Sequence, residues 1–238
     1  MGLSTKIYSF LLIAILIIVS IVMTIIMKTI MDKLFGRHSF NGETQDKTAR
    51  GKDIDVIVNT HNKLRATVAL GQLQRQPPAQ NMQKMTWDDQ LASRAQYWAE
   101  QHMFKHDRDR DKNIGQNLYI VMFGGPHSNK RQHNFTEAIT DWYEEHVHYT
   151  YKQLERGDSA DRRTQTGHYT QVVWANTDKV GCGFASFYQT EMKQDQILYV
   201  CNYAPSGNYE EEYPYIAGKP NCKAHGMSYS DIDGLCRR

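Results

Sequence analysis

The chain has 238 residues, which is enough for one sizeable domain with additional segments. Its 28 lysine and arginine residues nearly balance 26 aspartate and glutamate residues, and the net charge is +2. This balance, spread along the chain, excludes the strongly basic character of a nucleic-acid-binding protein.

The N-terminal segment, residues 7–27, contains no charged side chain and consists mainly of Leu, Ile, Val and Met. Because a membrane-spanning helix needs about 20 such residues, this segment predicts a transmembrane anchor. No small-residue cleavage site follows it, which favours an uncleaved signal-anchor; a cleaved segment would instead give a secreted protein. Residues 28–52 are polar, and we interpret them as a stalk between the membrane and the domain.

The signals for the orientation of this anchor disagree. Lys28, Lys33 and Arg37 follow the apolar segment, and the positive-inside rule would place them, with the domain, in the cytosol. Asn134 begins an Asn-Phe-Thr acceptor for N-glycosylation, which is used only on the lumenal side. The four cysteines allow three disulfide pairings in an oxidising compartment, whereas four buried thiols would suit the cytosol. We favour an extracellular or lumenal domain.

The rest of the chain first shows helical and then strand-like patterns. Apolar residues recur every three or four positions in three segments, and this spacing predicts helices over 54–71, 88–104 and 136–148. Three later segments are rich in β-branched and aromatic residues, and they predict an antiparallel sheet from strands at 172–174, 180–188 and 197–203. The fold class predicted from these patterns is α+β.

Six motifs occur in order along residues 53–209. The two long ones are Gly-His-Tyr-Thr-Gln-Val-Val-Trp at 167–174 and Leu-Tyr-Val-Cys-Asn-Tyr-Ala-Pro-Ser-Gly-Asn-Tyr at 198–209, and the shorter ones lie at 61–65, 91–99, 116–118 and 142–145. They closely resemble the signatures of the CAP superfamily, which groups cysteine-rich secretory, antigen 5 and pathogenesis-related proteins. The resemblance implies a CAP domain at 53–209, folded as a three-layer α-β-α sandwich, and a short cysteine-containing tail at 210–238.

The resemblance also implies a central cleft, in which family members have two histidines and two glutamates. The matching residues are His106, Gln116, Glu145 and His168, with Glu144 as the alternative to Glu145, so one glutamate is replaced by glutamine. His106 and His168 could ligate zinc, with Glu145 orienting a histidine or a water molecule. Gln116 carries no negative charge and accepts no proton, so we expect weaker metal binding. Alternatively, both histidines are only hydrogen-bonded cleft residues.

The disulfide pairing follows from the same resemblance. It implies that Cys182 bonds to Cys201, because their motifs would lie on neighbouring strands. Cys222 and Cys236 then form a second disulfide within the tail.

Some members of the superfamily bind sterols, fatty acids or other lipids, and we predict a non-catalytic domain with a lipid, a sterol or another apolar ligand. The aromatic residues Phe184, Phe187 and Tyr188 make their strand the place to look for it. One alternative is a metal- or histidine-dependent hydrolase, although we find no serine or cysteine nucleophile beside a matching histidine. The other is a cell-surface scaffold that binds a protein partner through loops such as residues 123–126.

Overall fold

The structure is a computed structural model. It describes residues 22–23, 40–124, 131–155, 165–229 and 232–238, with only the backbone given for 40–50. The chain forms two compact units, Met1–Arg50 and Gly51–Arg238. The predicted anchor at 7–27 lies outside the described residues except for Val22 and Met23. Within the described ranges, no helix combines the length and the apolar character needed to cross a membrane.

The regular elements fall into helices, short 3-10 turns and strands. The helices are α1 (Phe40–Ala69), α2 (Asp89–Ala99), α3 (Phe135–Glu144) and α4 (Gly167–Val172), and the 3-10 helices are Glu145–His148 and Cys222–His225. The strands are β1 (Thr86–Trp87), β2 (Gly115–Phe123), β3 (Lys179–Gln189), β4 (Gln194–Ala204), β5 (Ser228–Tyr229) and β6 (Cys236–Arg237).

The main sheet has the strand order β1-β3-β4-β2. Both β2 and β3 run antiparallel to β4, whereas the short β1 runs parallel to β3. The predicted strands at 180–188 and 197–203 are confirmed as parts of β3 and β4. The sheet is mixed rather than purely antiparallel, and β2 was not predicted as a strand.

The two faces of the sheet carry separate apolar clusters, because successive side chains of β4 belong alternately to one cluster and to the other. Leu198 and Val200 pack with Ala95 and Ala99 of α2. The intervening side chains belong to the larger cluster that includes buried residues of α1, α3 and α4; they are Ile197, Tyr199, Cys201 and Tyr203. Because neighbouring residues of a strand point to opposite faces, helices cover both sides of the sheet. The domain is therefore an α+β fold with the layers α-β-α.

The strand predicted at 172–174 is wrong. Val172 ends α4, and Trp174 follows in a turn. The carbonyl oxygens of Val172 and Trp174 accept hydrogen bonds of 2.9 and 2.8 Å from the fully buried guanidinium of Arg65. Their acceptors are thus satisfied without a neighbouring strand, and the β-branched pair Val172 and Val173 instead fills the core.

Arg65 of α1 connects several segments through backbone carbonyls. Besides Val172 and Trp174, it donates to the carbonyl oxygens of Gln83, Ala175 and Thr177. Burial lowers the pKa of Arg65 to about 9, so the guanidinium stays charged at neutral pH. One side chain of α1 therefore holds the segment before β1 and the turn after α4.

Two predicted helix boundaries differ from the structure. α1 begins at Phe40 rather than near Ile54, because residues 40–52 include good helix formers but lack the apolar spacing that marks a packed face. α2 ends at Ala99 rather than near Phe104, and His102 has a left-handed φ of 56°, which a continuing helix cannot contain. The helix predicted at 136–148 is confirmed as α3 and the 3-10 turn that follows it.

Both predicted disulfides are confirmed. Cys182 and Cys201 lie directly opposite each other on β3 and β4, with their Cα atoms 4.1 Å apart. Cys222 and Cys236 close a second bridge across 14 positions of the chain. The tail is joined to the domain because Cys236 makes backbone hydrogen bonds of 2.8 Å with Met82 and Lys84.

Candidate functional site

The structure arranges the four predicted cleft residues as two pairs. His106 lies in the loop after α2, and Gln116 is near the start of β2. Glu145 is the first residue of the 3-10 turn after α3, and His168 is in the first turn of α4. Burial chiefly lowers the pKa of His106, and His168 makes a small contribution in the same direction, which places the two histidines in one electrostatic environment.

In the first pair, Glu145 holds both the ring and the backbone of His168. Its Oε1 lies 2.7 Å from His168 Nδ1, and its Oε2 accepts from the backbone N–H groups of His168 and Tyr169 at 3.0 and 3.1 Å. These N–H groups have no partner within the first turn of a helix, and Thr166 before α4 offers no side-chain cap. Glu145 therefore caps α4 and fixes the orientation of the imidazole at the same time.

The second pair depends on the amide of Gln116. Its Oε1 accepts from the backbone N–H of Asp107 at 3.0 Å and lies 3.1 Å from His106 Nδ1, so this ring nitrogen is the donor. Its Nε2 donates to Asn202 Oδ1 at 3.0 Å, and Asn202 in turn donates to the carbonyl of Leu91. The glutamine uses both its acceptor and its donor, which a carboxylate could not do.

The loop that carries His106 is fixed by the fully buried Asp107. Asp107 pairs with Arg94 of α2 at 2.6 Å, and its carbonyl accepts from Arg110 at 2.6 Å. Burial opposes the negative charge of Asp107, but the contacts with Arg94 and Arg110 hold its pKa below the usual value. The pKa of His106 is also lowered, chiefly by partial burial and further by Arg110. His106 is therefore kept neutral, the form that can ligate a metal.

Both histidines present the same kind of ring nitrogen to the cleft. Since each Nδ1 is engaged by Gln116 or Glu145, Nε2 is the ring nitrogen left for a ligand, which at His168 would have to displace the amide of Gln165. Gln165 lies over the ring of His168, with its amide nitrogen 3.4 Å from Nε2. No group of three or more His, Cys, Asp or Glu side chains suited to a metal occurs among the described residues. The described cleft thus offers two imidazoles and no third ligand of these types.

Asp141 was missed by the sequence analysis. It lies one helical turn before Glu145, and burial raises its pKa with a further contribution from Glu145. His168 opposes this shift, which brings Asp141 into the same electrostatic environment. Its four-residue spacing from Glu145 was the available signal, because such residues share a helix face.

A second concave feature is the aromatic groove, with a volume of about 550 Å³. It contains all three aromatic residues that the sequence analysis singled out on β3; its lining consists of Phe123, Arg131, Gln132, His133, Phe184, Ser186, Phe187, Tyr188, Asp195 and Ile197. The ring of His133 stacks on Phe184 with 3.9 Å between centroids, and its Nε2 lies 2.9 Å from Asp53. Arg131 is paired with Glu137. Arg131 and His133 are thus each in contact with a carboxylate, Asp195 adds a further carboxylate to the lining, and the stacked aromatic rings offer a surface to an apolar molecule.

The remaining predicted sites lie elsewhere. Asn134 is exposed at the N-cap of α3, where its Oδ1 accepts from Glu137 N at 3.3 Å. Of the loop predicted to contact a protein, Gly125 and Pro126 lie outside the described residues. All four cysteines are in disulfides, and none is a free thiol nucleophile.

Comparisons with known proteins agree with this architecture. The model of the cysteine-rich secretory protein family, CAP, matches residues 58–203. Salivary antigen-5 of Dipetalogaster maximus is 37% identical over 195 residues, which cover 78% of this chain and 75% of that protein. CRISP/Allergen/PR-1 of Trittame loki is 35% identical over 199 residues, 78% of this chain but only 48% of that relative. The crystal structure of NaASP2 with Zn²⁺ has a TM-score of 0.63 and 28% identity, covering 77% of this chain and 94% of that chain.

Proposed function

The chain belongs to the cysteine-rich secretory protein family, and on this premise we propose that it is a non-catalytic binding protein for a lipid, a sterol or another apolar molecule. The observation that carries the proposal is the aromatic groove. Its volume of about 550 Å³ lies in the range of small-molecule sites, about 300–1,000 Å³. Its aromatic side chains offer the flat apolar surface that such a ligand needs.

The cleft supports binding rather than catalysis. Gln116 cannot take up a proton, and both of its polar atoms are used in holding His106 and Asn202. His168 is held by Glu145, and no cysteine thiol is free to act as a nucleophile. The replacement of a glutamate by Gln116 removes one candidate general base, and Glu145 is already engaged by three N–H groups.

The groove is tested with a fluorescent sterol and a fluorescent fatty acid on the purified chain. Phe187→Ser and Tyr188→Ser each remove an aromatic ring from the lining, and loss of about 1.4 kcal/mol of apolar contact weakens binding about tenfold. Tyr97→Ser is the matched control, because Tyr97 is 52% exposed on α2 and outside the groove. If all three variants fold normally and bind the fluorescent lipids as tightly as the wild type does, the aromatic groove is not the binding site and the proposal is wrong.

A second candidate function is weak binding of a divalent metal by His106 and His168. It is favoured by the hydrogen bonds at each Nδ1, since metal-binding histidines are usually oriented through the nitrogen that does not ligate. The related NaASP2 has been crystallised with Zn²⁺. When bound, zinc would offer open coordination positions to water or to an anionic group of a ligand.

Zinc binding is measured by titration calorimetry on the purified chain. We expect the double variant His106→Ala/His168→Ala to lose binding, and His148→Ala to retain it, because His148 is exposed beyond the cleft. Binding that survives in the double variant would contradict the two-histidine site. Absence of binding in the wild type would leave both histidines as hydrogen-bonded cleft residues.

We further propose that the domain is extracellular or lumenal and that residues 7–27 anchor it to the membrane. Two disulfides and the exposed Asn134 support an oxidising compartment. Thr136→Val removes the glycosylation acceptor but leaves Asn134 as the N-cap of α3. When the chain is expressed in a secretory cell, this variant should therefore lose the mass of the glycan and keep its fold. An unglycosylated wild type with cysteines open to alkylation after denaturation would indicate a cytosolic domain.

A further inference from the structure

Five buried side-chain polar atoms of the described residues lack a partner with good hydrogen-bond geometry. One is His225 Nε2; the other four are the hydroxyls of Tyr143, Tyr169 and Tyr215 and the side-chain oxygen of Gln76. Each of the latter four residues is at most 7% exposed. Burial raises the pKa of all three tyrosines well above the usual value, so every hydroxyl keeps its proton and can act as a donor.

The four groups belong to one cluster of aromatic side chains. The ring of Tyr169 lies 5.6 Å from that of Tyr143 and 5.5 Å from that of Tyr149. Gln76 joins the cluster because its Nε2 donates to the carbonyl of Tyr149 at 2.7 Å. The hydroxyls of Tyr169 and Tyr215 are close enough for a hydrogen bond between them to contribute to both pKa shifts, but the contact falls short of the geometry of a well-formed bond.

Leaving these groups unsatisfied would be expensive. A buried polar group without a partner destabilises the folded state, and native proteins rarely contain such a group without water. A buried water molecule typically makes about three hydrogen bonds to polar groups of this kind. Three hydroxyls can donate or accept, and the oxygen of Gln76 accepts, which matches the two donors and two acceptors of water.

We propose that Tyr143, Tyr169 and Tyr215 enclose a buried water site, in which at least one ordered water molecule bridges their hydroxyls and the side-chain oxygen of Gln76. The site joins α3, α4, the tail after β4 and the loop after α1. It lies behind the cleft, because Tyr169 follows His168 in the chain and its backbone N–H bonds Glu145. The water therefore supports the elements that hold Glu145 against His168.

Tyrosine-to-phenylalanine substitutions in the full chain test the site by the sign of their effect. If water satisfies the hydroxyls, Tyr143→Phe, Tyr169→Phe and Tyr215→Phe each lower the folding equilibrium constant, by about fivefold to tenfold for one lost hydrogen bond. If the hydroxyls are truly unsatisfied, phenylalanine removes a penalty and the constant rises. Tyr213→Phe is the control and leaves it unchanged, since Tyr213 is 46% exposed. An increase or no change in the three buried variants overturns the proposal.

A double-mutant cycle tests whether two hydroxyls depend on each other, and a crystal structure then shows whether water joins them. A common water couples Tyr143→Phe with Tyr215→Phe, so the double variant loses less stability than the sum of the single variants. A crystal structure of the full chain should then show a density peak within about 3.2 Å of at least two of the hydroxyls. Additive effects together with an empty cavity at high resolution would refute the site.

Discussion

Replacing Arg65 by methionine removes one side chain but affects five buried carbonyl oxygens. The five N–H groups of the guanidinium make six contacts of 2.6–3.3 Å with these oxygens, one hydrogen on Nη2 being shared between two of them. At the lower limit of about 1 kcal/mol for each unsatisfied carbonyl, the loss is about 5 kcal/mol. Two of the five carbonyls keep a backbone donor, because Gln83 N bonds Ala175 and Thr177 N bonds Trp174, and methionine avoids burying a charge. We therefore expect a net loss of about 2–3 kcal/mol.

This loss is large beside a typical stability of about 5–15 kcal/mol, and urea unfolding followed by tryptophan fluorescence should detect it. The matched control is Arg237→Met, which breaks a surface ion pair with Asp233 and should change the free energy of unfolding by less than about 1 kcal/mol. Arg65→Lys keeps the charge, but one ammonium group cannot reach all five carbonyls, so it should also destabilise the domain. A loss below about 1 kcal/mol for Arg65→Met would refute the argument, because the carbonyls would then have other donors.

Three further predictions concern acid stability, the cleft and the tail. Burial lowers the pKa of His61 to about 4 in the folded chain, against 6.5 when unfolded. The unfolded state therefore binds more protons between these values, and urea unfolding should show a loss of about 3 kcal/mol from pH 7 to pH 4 that a His61→Asn variant lacks. Gln116→Glu should destabilise the domain by about 1–2 kcal/mol, because a carboxylate would face the oxygen of Asn202. The added negative charge should also tighten zinc binding in calorimetry. Hydrolytic activity gained by this variant would revive the enzymatic interpretation. Replacing both Cys222 and Cys236 by serine should cost about 3 kcal/mol, given a separation of 14 positions, and an unchanged unfolding midpoint would contradict this value.

The sequence identified elements whose side chains carry a local pattern. The apolar spacing of α3 and the β-branched and aromatic composition of β3 and β4 reflect packing against the two sides of one sheet, which is why these elements were found. The motif containing Gln116 was recognised, but its strand β2 was not, because it opens with the polar residues Gln116 and Asn117. Both are buried, and Gln116 obtains its partners from distant parts of the chain.

The predictions that were wrong or missing depend on contacts between residues that are distant in the sequence. Val172 and Trp174 have side chains typical of strands, but their carbonyl oxygens accept hydrogen bonds from Arg65, which lies more than a hundred positions earlier. The cleft residues came from the family resemblance, whereas the second role of Glu145, as the cap of α4, depends on a chain reversal that no local pattern reveals. The water site likewise draws on four separate segments of the chain.

The two acidic positions of the family cleft differ in how much change they can tolerate. At 116, one side-chain oxygen holds both His106 and the backbone of Asp107, a role that an amide and a carboxylate share, and only the bond to Asn202 requires the amide. At Glu145, two oxygens accept from three N–H groups, and an amide would turn one acceptor into a repelling donor. A substitution at 116 can therefore change the charge of the cleft for the loss of one hydrogen bond, whereas a substitution at Glu145 would disturb three.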